Sequence, residues 1–198
     1  MHRLATIVLS SSVLVFVAGA SGAITGTTGQ ALQIAPPASA GPGALQSFQA
    51  FAWDEQTVTL ATLFVNESAN PGTSAAPTPG FLSGTFDSHF IHFENVPGVV
   101  AAQGTVSFNN PIVGVIFVNT DLDSTDASCG AFGTVYPTGY PLRGLATTPP
   151  SGFTYVGNTL SFSFINFNPP NHLCQVRVFT AVPAAGPAAL AALGAGLG

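Results

Sequence analysis

Thr159-Leu160-Ser161-Phe162-Ser163-Phe164-Ile165 decides the fold class, because an apolar side chain stands at every second position with a hydroxyl between. Successive side chains of a strand point to opposite faces, so Leu160, Phe162 and Phe164 share one side and Thr159, Ser161 and Ser163 the other. A helix would scatter the same residues around its circumference. The alternation predicts a half-buried strand from Thr159 to Phe167. Just ahead of it, Val156-Gly157-Asn158-Thr159 predicts a tight turn.

The same period recurs on both sides. Leu173 to Val182 alternates Val176 and Val178 against Gln175 and Arg177. Ile112 to Asn119 is apolar on both faces, which predicts a central, buried strand. Gly104–Asn109 precedes it across Asn110-Pro111, a turn signal, and Thr85–Glu94 is a further strand. Phe48, Ala50 and Ala52 oppose Phe51 and Trp53 in a strand that Asp54-Glu55-Gln56 is expected to turn into a second, Thr57–Asn66, forming a hairpin. Glu67–Gly80 and Asp121–Gly152, dense in Gly, Pro, Ser, Thr and Asp, are expected to be loops, and no amphipathic helix is predicted after the leader.

These spacings predict an all-β fold, an antiparallel β-sandwich of jelly-roll or Ig-like kind, over residues 46–182. Residues 24–45 are a Gly/Pro-rich lead-in with room for one edge strand at Ala31–Ile34, the rest expected to be mobile. The strand order is not legible at this level.

Composition excludes several classes. Lysine and arginine together number 3 against 8 acids, and charged residues are only 6% of the chain. With no basic patch, phosphate-led binding to nucleic acid is excluded, and anionic lipid is a poor partner. Ser, Thr, Asn, Gly and Pro keep the surface wet in place of charge.

The ends read as addresses. Met1-His2-Arg3, the apolar run Leu4–Val17 and the small residues through Ala23 have the layout of a secretory signal peptide over residues 1–23, with a run too short and too polar to span a bilayer. Residues 183–198 form a short Ala/Gly-rich apolar tail. The two cysteines, Cys129 and Cys174, suit an exported chain with one disulfide, which would stabilise by about 4 kcal/mol through loop closure. Two separate thiols are the alternative.

Val182-Pro183-Ala184-Ala185-Gly186-Pro187, followed by Ala, Leu and Gly, resembles a degenerate form of the C-terminal segment of bacterial PEP-CTERM proteins. Phe51-Ala52-Trp53-Asp54-Glu55-Gln56, Ser88–Glu94, Asn110–Ile116 and Gln175–Val178 resemble segments recurring in uncharacterised proteins of that class. The resemblance implies export, processing by exosortase-type machinery and a place at the cell surface or in the extracellular matrix. It implies no activity.

Candidate chemistry is sparse. His89 and His92, flanked by Asp87 and Glu94, fall on opposite faces of a strand, pairing Asp87 with His89 and His92 with Glu94. Asn119, Asp121, Asp123 and Asp126 place oxygens at the close spacing that suits Ca²⁺, the one candidate cofactor; turn hydrogen bonds, with Arg143 neutralising the acids, are the commoner use of such residues. Tyr136, Tyr140 and Arg143 share the long loop and are candidate glycan-binding residues; a lid with buried rings is the commoner outcome. Ser128 lacks a nucleophile elbow, no nucleotide fingerprint occurs, and Asn66-Glu67-Ser68 is only a formal glycosylation triplet. The function expected is an exported, non-enzymatic protein whose partners are extracellular polysaccharide or surface components, besides export and sorting machinery. The alternative is an extracellular glycan- or calcium-dependent binding module.

Overall fold

A computed structural model describes residues 23–99, 101–145, 151–166 and 172–182. The expected leader, but for Ala23, and the tail at 183–198 lie outside the described residues, as does Phe167.

The chain is mostly β. Its strands are β1 (Ile24–Gly29), β2 (Ala31–Gln33), β3 (Gln46–Ser47), β4 (Ala50–Val65), β5 (Gly72–Thr73), β6 (Gly80–Asn95), β7 (Ala101–Phe108), β8 (Ile112–Ile116), β9 (Gly152–Val156), β10 (Thr159–Ile165) and β11 (Cys174–Ala181). Among the described residues one helix, α1 (Asn119–Cys129), lies between β8 and β9. The first sheet has the order β1-β7-β10-β9-β5 and is antiparallel throughout. The second has the order β2-β4-β6-β11-β8, with β2 parallel to β4 and the short β3 parallel to β6.

The alternation that defines β10 works as predicted. Leu160, Phe162 and Phe164 join Val106 and Phe108 of β7 and Phe153 and Tyr155 of β9 in one apolar cluster. The second sheet supplies Ile91 and Phe93 of β6, Val176 and Val178 of β11, and Ile112 and Val115 of β8 to that same cluster. At roughly 1.5–3 kcal/mol for each large apolar side chain removed from water, this shared interior is the main source of stability. The predicted turn is present too: Gly157 takes φ +62, which only glycine adopts without strain, and joins β9 to β10.

A second apolar cluster covers the other face of the second sheet. Trp53, Val58, Phe86, Phe90, Ile116 and Phe179 pack there with Leu122 and Cys129 of α1 and Ala131 beyond it. The second sheet is therefore buried on both faces, the first on one.

Four expectations are corrected. Asp54-Glu55-Gln56 makes no turn: β4 runs through it, paired with β6, and absorbs the irregularity as a register shift between Asp54 and Thr57. Asn119–Cys129 is a helix, not a loop. β8 is buried on both faces but ends its sheet's order; its outer edge is closed by Glu67, whose N–H donates to the Val115 carbonyl and whose carbonyl accepts from the Val115 N–H. The first part of the lead-in is built into the sheets, since β1 pairs with β7 along Ile24–Gly29, while β2 is the edge strand expected near Ala31.

Candidate functional site

The face of the second sheet beneath α1 carries the ionic chemistry. Glu55 follows Trp53 by two residues on β4 and so shares its face beneath α1, and Arg177 rises from β11 on the same face. Arg177 donates from Nε to Glu55 Oε2 at 2.8 Å and from NH2 to Glu55 Oε1 at 3.0 Å, a two-pronged pair with both side chains at 0% exposure. Its remaining N–H groups reach Thr125 Oγ1 at 2.6 Å, the Leu122 carbonyl at 3.3 Å and Asp126 Oδ1 at 3.2 Å, all on α1. The guanidinium carbon also lies 5.0 Å from the Phe90 ring centre. Burial disfavours the Arg177 cation, but Glu55 and Asp126 outweigh it and hold the group above its ordinary pKa.

Arg143 extends the network. Its NH1 donates to Asp123 Oδ1 at 2.7 Å and Asp126 Oδ2 at 2.6 Å, and its Nε to Gln175 Oε1 at 2.8 Å. Because Gln175 Oε1 accepts there, its amide N–H₂ is the donor to the Ala40 carbonyl and to His92 Nδ1. His92 thus accepts at Nδ1 and carries its proton on Nε2. Burial, then the nearby Arg143 charge, lowers its pKa from 6.5 to about 3.

Tyr136 is a strut in this network. Its hydroxyl donates to Glu55 and accepts from the Ala131 N–H at 3.0 Å, and its ring stands edge-on to Phe90. Burial, reinforced by the Glu55 carboxylate, pushes the phenol up. Tyr140 is half-buried in the same loop, its backbone N–H donating to the Pro137 carbonyl. The glycan-binding set Tyr136, Tyr140 and Arg143 is therefore not an open platform: Arg143 is buried and Tyr136 committed.

The calcium set is also redirected. Asn119, Asp121, Asp123 and Asp126 lie along α1; Asp123 and Asp126 neutralise Arg143, while Asp121 accepts from Asn66 Nδ2 at 2.6 Å. Among the described residues, no group of three or more His, Cys, Asp or Glu is placed to hold a metal ion. Asn66, from the formal glycosylation triplet, is buried, and its Oδ1 accepts from the Phe117 and Val118 N–H groups at the entry to α1. The expected disulfide is not formed: Cys129 and Cys174 are buried thiols that belong to different clusters, one under α1 and one in the shared interior. β11 itself begins at Cys174 and turns its side chain inward, away from the helix.

His89 and His92 lie on opposite faces of β6, as their spacing predicts. His89 faces the shared interior, with Nδ1 2.7 Å from Asp54 Oδ1 and Nε2 3.0 Å from Thr180 Oγ1, its ring beside Phe108. Asp87 accepts from Thr57 Oγ1 at 2.5 Å. Acid, imidazole and hydroxyl stand in the order used by hydrolytic triads, yet His89 and Thr180 are both 0% exposed, and a nucleophile must meet its substrate. The trio ties β4, β6 and β11 together.

Every acid of the chain lies among the described residues, together with Arg143 and Arg177, and none of these ten is exposed: six are buried and four half-buried. Glu67 shows how the solitary acids are satisfied, its carboxylate accepting from the N–H groups of Ala69, Thr73 and Thr78 and so gathering the 68–79 loop. Ordinary proteins place these residue types outside. The sequence hid this because a polar or charged residue written in a strand is read as its wet side; Gln175 and Arg177 are the clearest instances.

The outward face of the first sheet is the opposite case. One register line crosses all five strands as Thr28, Thr105, Ser161, Thr154 and Thr73. Thr28 and Thr105 share a hydrogen bond at 2.7 Å, as do Ser107 and Thr159 at 3.0 Å in the next line. At one end, where Thr73–Ala75 passes beside β9 and β10, the face forms a shallow groove of about 360 Å³. Ser74 fixes its wall, its N–H donating to the Phe153 carbonyl and its Oγ accepting from the Phe153 N–H at 2.9 Å.

The chain matches no known family model, no curated protein and no solved structure.

Proposed function

We propose that this chain is an exported, non-enzymatic protein of the cell surface or extracellular matrix, folded as an antiparallel β-sandwich of jelly-roll or Ig-like kind. One observation carries the proposal: all eight acids, Arg143 and Arg177 are buried or half-buried, and the surface is left to hydroxyl, amide, small and uncharged apolar side chains, Phe48, Phe81 and Phe132 among them. Such a surface attracts neither nucleic acid nor anionic membrane and repels its own copies little, which suits a crowded, neutral surrounding. The signal-peptide layout of residues 1–23 and the PEP-CTERM-like tail support the same destination. Strand residues from both sheets in one interior cluster support the sandwich. His89 and Thr180 of the trio, and Arg177 with the Glu55 side chain, are fully buried, so both groups serve as structure.

Cell fractionation followed by mass spectrometry of the recovered chain tests the proposal. The expected product lacks the leader and is found in the medium or surface fraction. An intact chain in the cytoplasm would overturn it.

A further inference from the structure

The groove on the first sheet is an open concavity without charge among its lining residues, and its chemistry selects a ligand. Thr73, Ser74, Thr154, Ser161 and Ser163 bring hydroxyls to a lining that is otherwise mostly carbon, and no acid, amine or guanidinium lines it. Thr154 and Ser161 stand opposite each other across β9 and β10, both exposed, their hydroxyls without a hydrogen-bond partner among the described residues. Gly152 keeps the space clear, since a Cβ there would come within 3.1 Å of Ser74 Oγ alone. From the groove the hydroxyl line continues through Thr105 to Thr28, so the whole row spans about 19 Å at the usual 4.8 Å between strands.

We propose that this groove and row bind a neutral polysaccharide chain, a proposal that rests on the surface or matrix function above and names its partner. A hydroxyl both donates and accepts, so a line of them can pair with a polyhydroxyl polymer in either chain direction. An anionic polymer would find no cation here, because Arg143 and Arg177 are buried beneath α1 on the other sheet. A peptide seeking to add a strand would find the β9 edge already taken by Thr73 and Ser74. Although most of the groove's surface is carbon, its two large apolar residues, Phe153 and Phe162, are buried, so an apolar partner would find no aromatic ring exposed there. A shallow site about 360 Å³ in volume admits one or two sugar rings, and the row beyond it gives a longer chain its further contacts.

Native gels cast with hydroxyethylcellulose, dextran or galactomannan, with alginate as the anionic comparison, measure the binding directly on the mature chain. Retardation by at least one neutral polymer and none by alginate is expected. Thr154→Val combined with Ser161→Ala should weaken that retardation at least fivefold, and Gly152→Leu, which fills the groove, should abolish it. Unchanged melting temperatures in these variants would show that the fold survives; should Gly152→Leu fail to fold, the hydroxyl pair alone decides. No retardation by any neutral polymer, retardation by alginate alone, or undiminished binding in the Thr154→Val/Ser161→Ala chain would overturn the proposal. A chain found at the cell surface that ignores every neutral polymer rejects the groove and leaves the surface assignment standing. A cytoplasmic chain rejects the surface assignment whatever the gels show.

Discussion

The outward faces of the two sheets have been built by opposite means. Beneath α1, the second sheet hides Glu55, Arg177, Arg143, Asp123 and Asp126 in one network of ion pairs. The first sheet carries a line of Thr and Ser to solvent and no charge at all among its strands. Charge is scarce in this chain, and the contrast shows where it has been spent: on fastening a polar helix to a sheet, not on solubility. Helix α1 has only Leu122 as a large apolar buried residue, too little to hold it by hydrophobic contact alone. The arginines, reaching it from β11 and from the loop beyond it, hold it by pairing with Asp123 and Asp126.

The contrast makes four further predictions. Arg177→Ala takes from the buried Glu55 carboxylate its only cation and from Asp126 one of its two, and a loss of about 3–5 kcal/mol is expected in urea unfolding. Glu55→Gln with Arg177→Met, which removes both charges, should cost less than Arg177→Ala alone; a larger cost would mean that packing, not charge balance, fastens the helix.

His92 gives the network a pH dependence of fixed sign. Its pKa is lowered in the folded state from 6.5 to about 3, so below pH 6.5 the unfolded chain takes up a proton that the folded chain does not. Its share of the stability is complete above pH 6.5 and falls away as the pH drops toward 3. His92→Gln should flatten the acid limb of a stability-against-pH curve by about 1.4 kcal/mol per pH unit between pH 6 and 4. An unaltered slope would show that His92 is not the group that titrates.

The smallest effect is expected on the other sheet. Thr105→Val removes the hydroxyl that meets Thr28 but keeps the β-branched shape, and the change in stability should stay within about 0.5 kcal/mol. A loss several times larger would make the hydroxyl line a structural device and not an open surface.

How much of this was legible depends on whether neighbours in sequence or in space decide the outcome. The period of Leu160, Phe162 and Phe164 reads directly as a strand, and the three-residue spacing of His89 and His92 reads directly as opposite faces. Asp54-Glu55-Gln56 misleads because three polar residues in a row look like a turn, while the reason Glu55 stays in a strand, Arg177, lies 122 residues away. The helix is invisible for a similar reason: Asn-Thr-Asp-Leu-Asp-Ser-Thr-Asp has no apolar period, and its anchors come from elsewhere in the chain. Counting cysteines suggested a pair, but only the placement of Cys129 under α1 and Cys174 in the interior separates them.

From the order of residues alone came the β character, the turn at Gly157, the faces of the histidines and the lack of any cationic surface, since each follows from local geometry or from composition. The fate of the charges was settled only by folding. Whether an acid or an arginine on a strand meets water or a partner depends on what packs over that face, and burial is tolerable only when a counter-charge arrives with it.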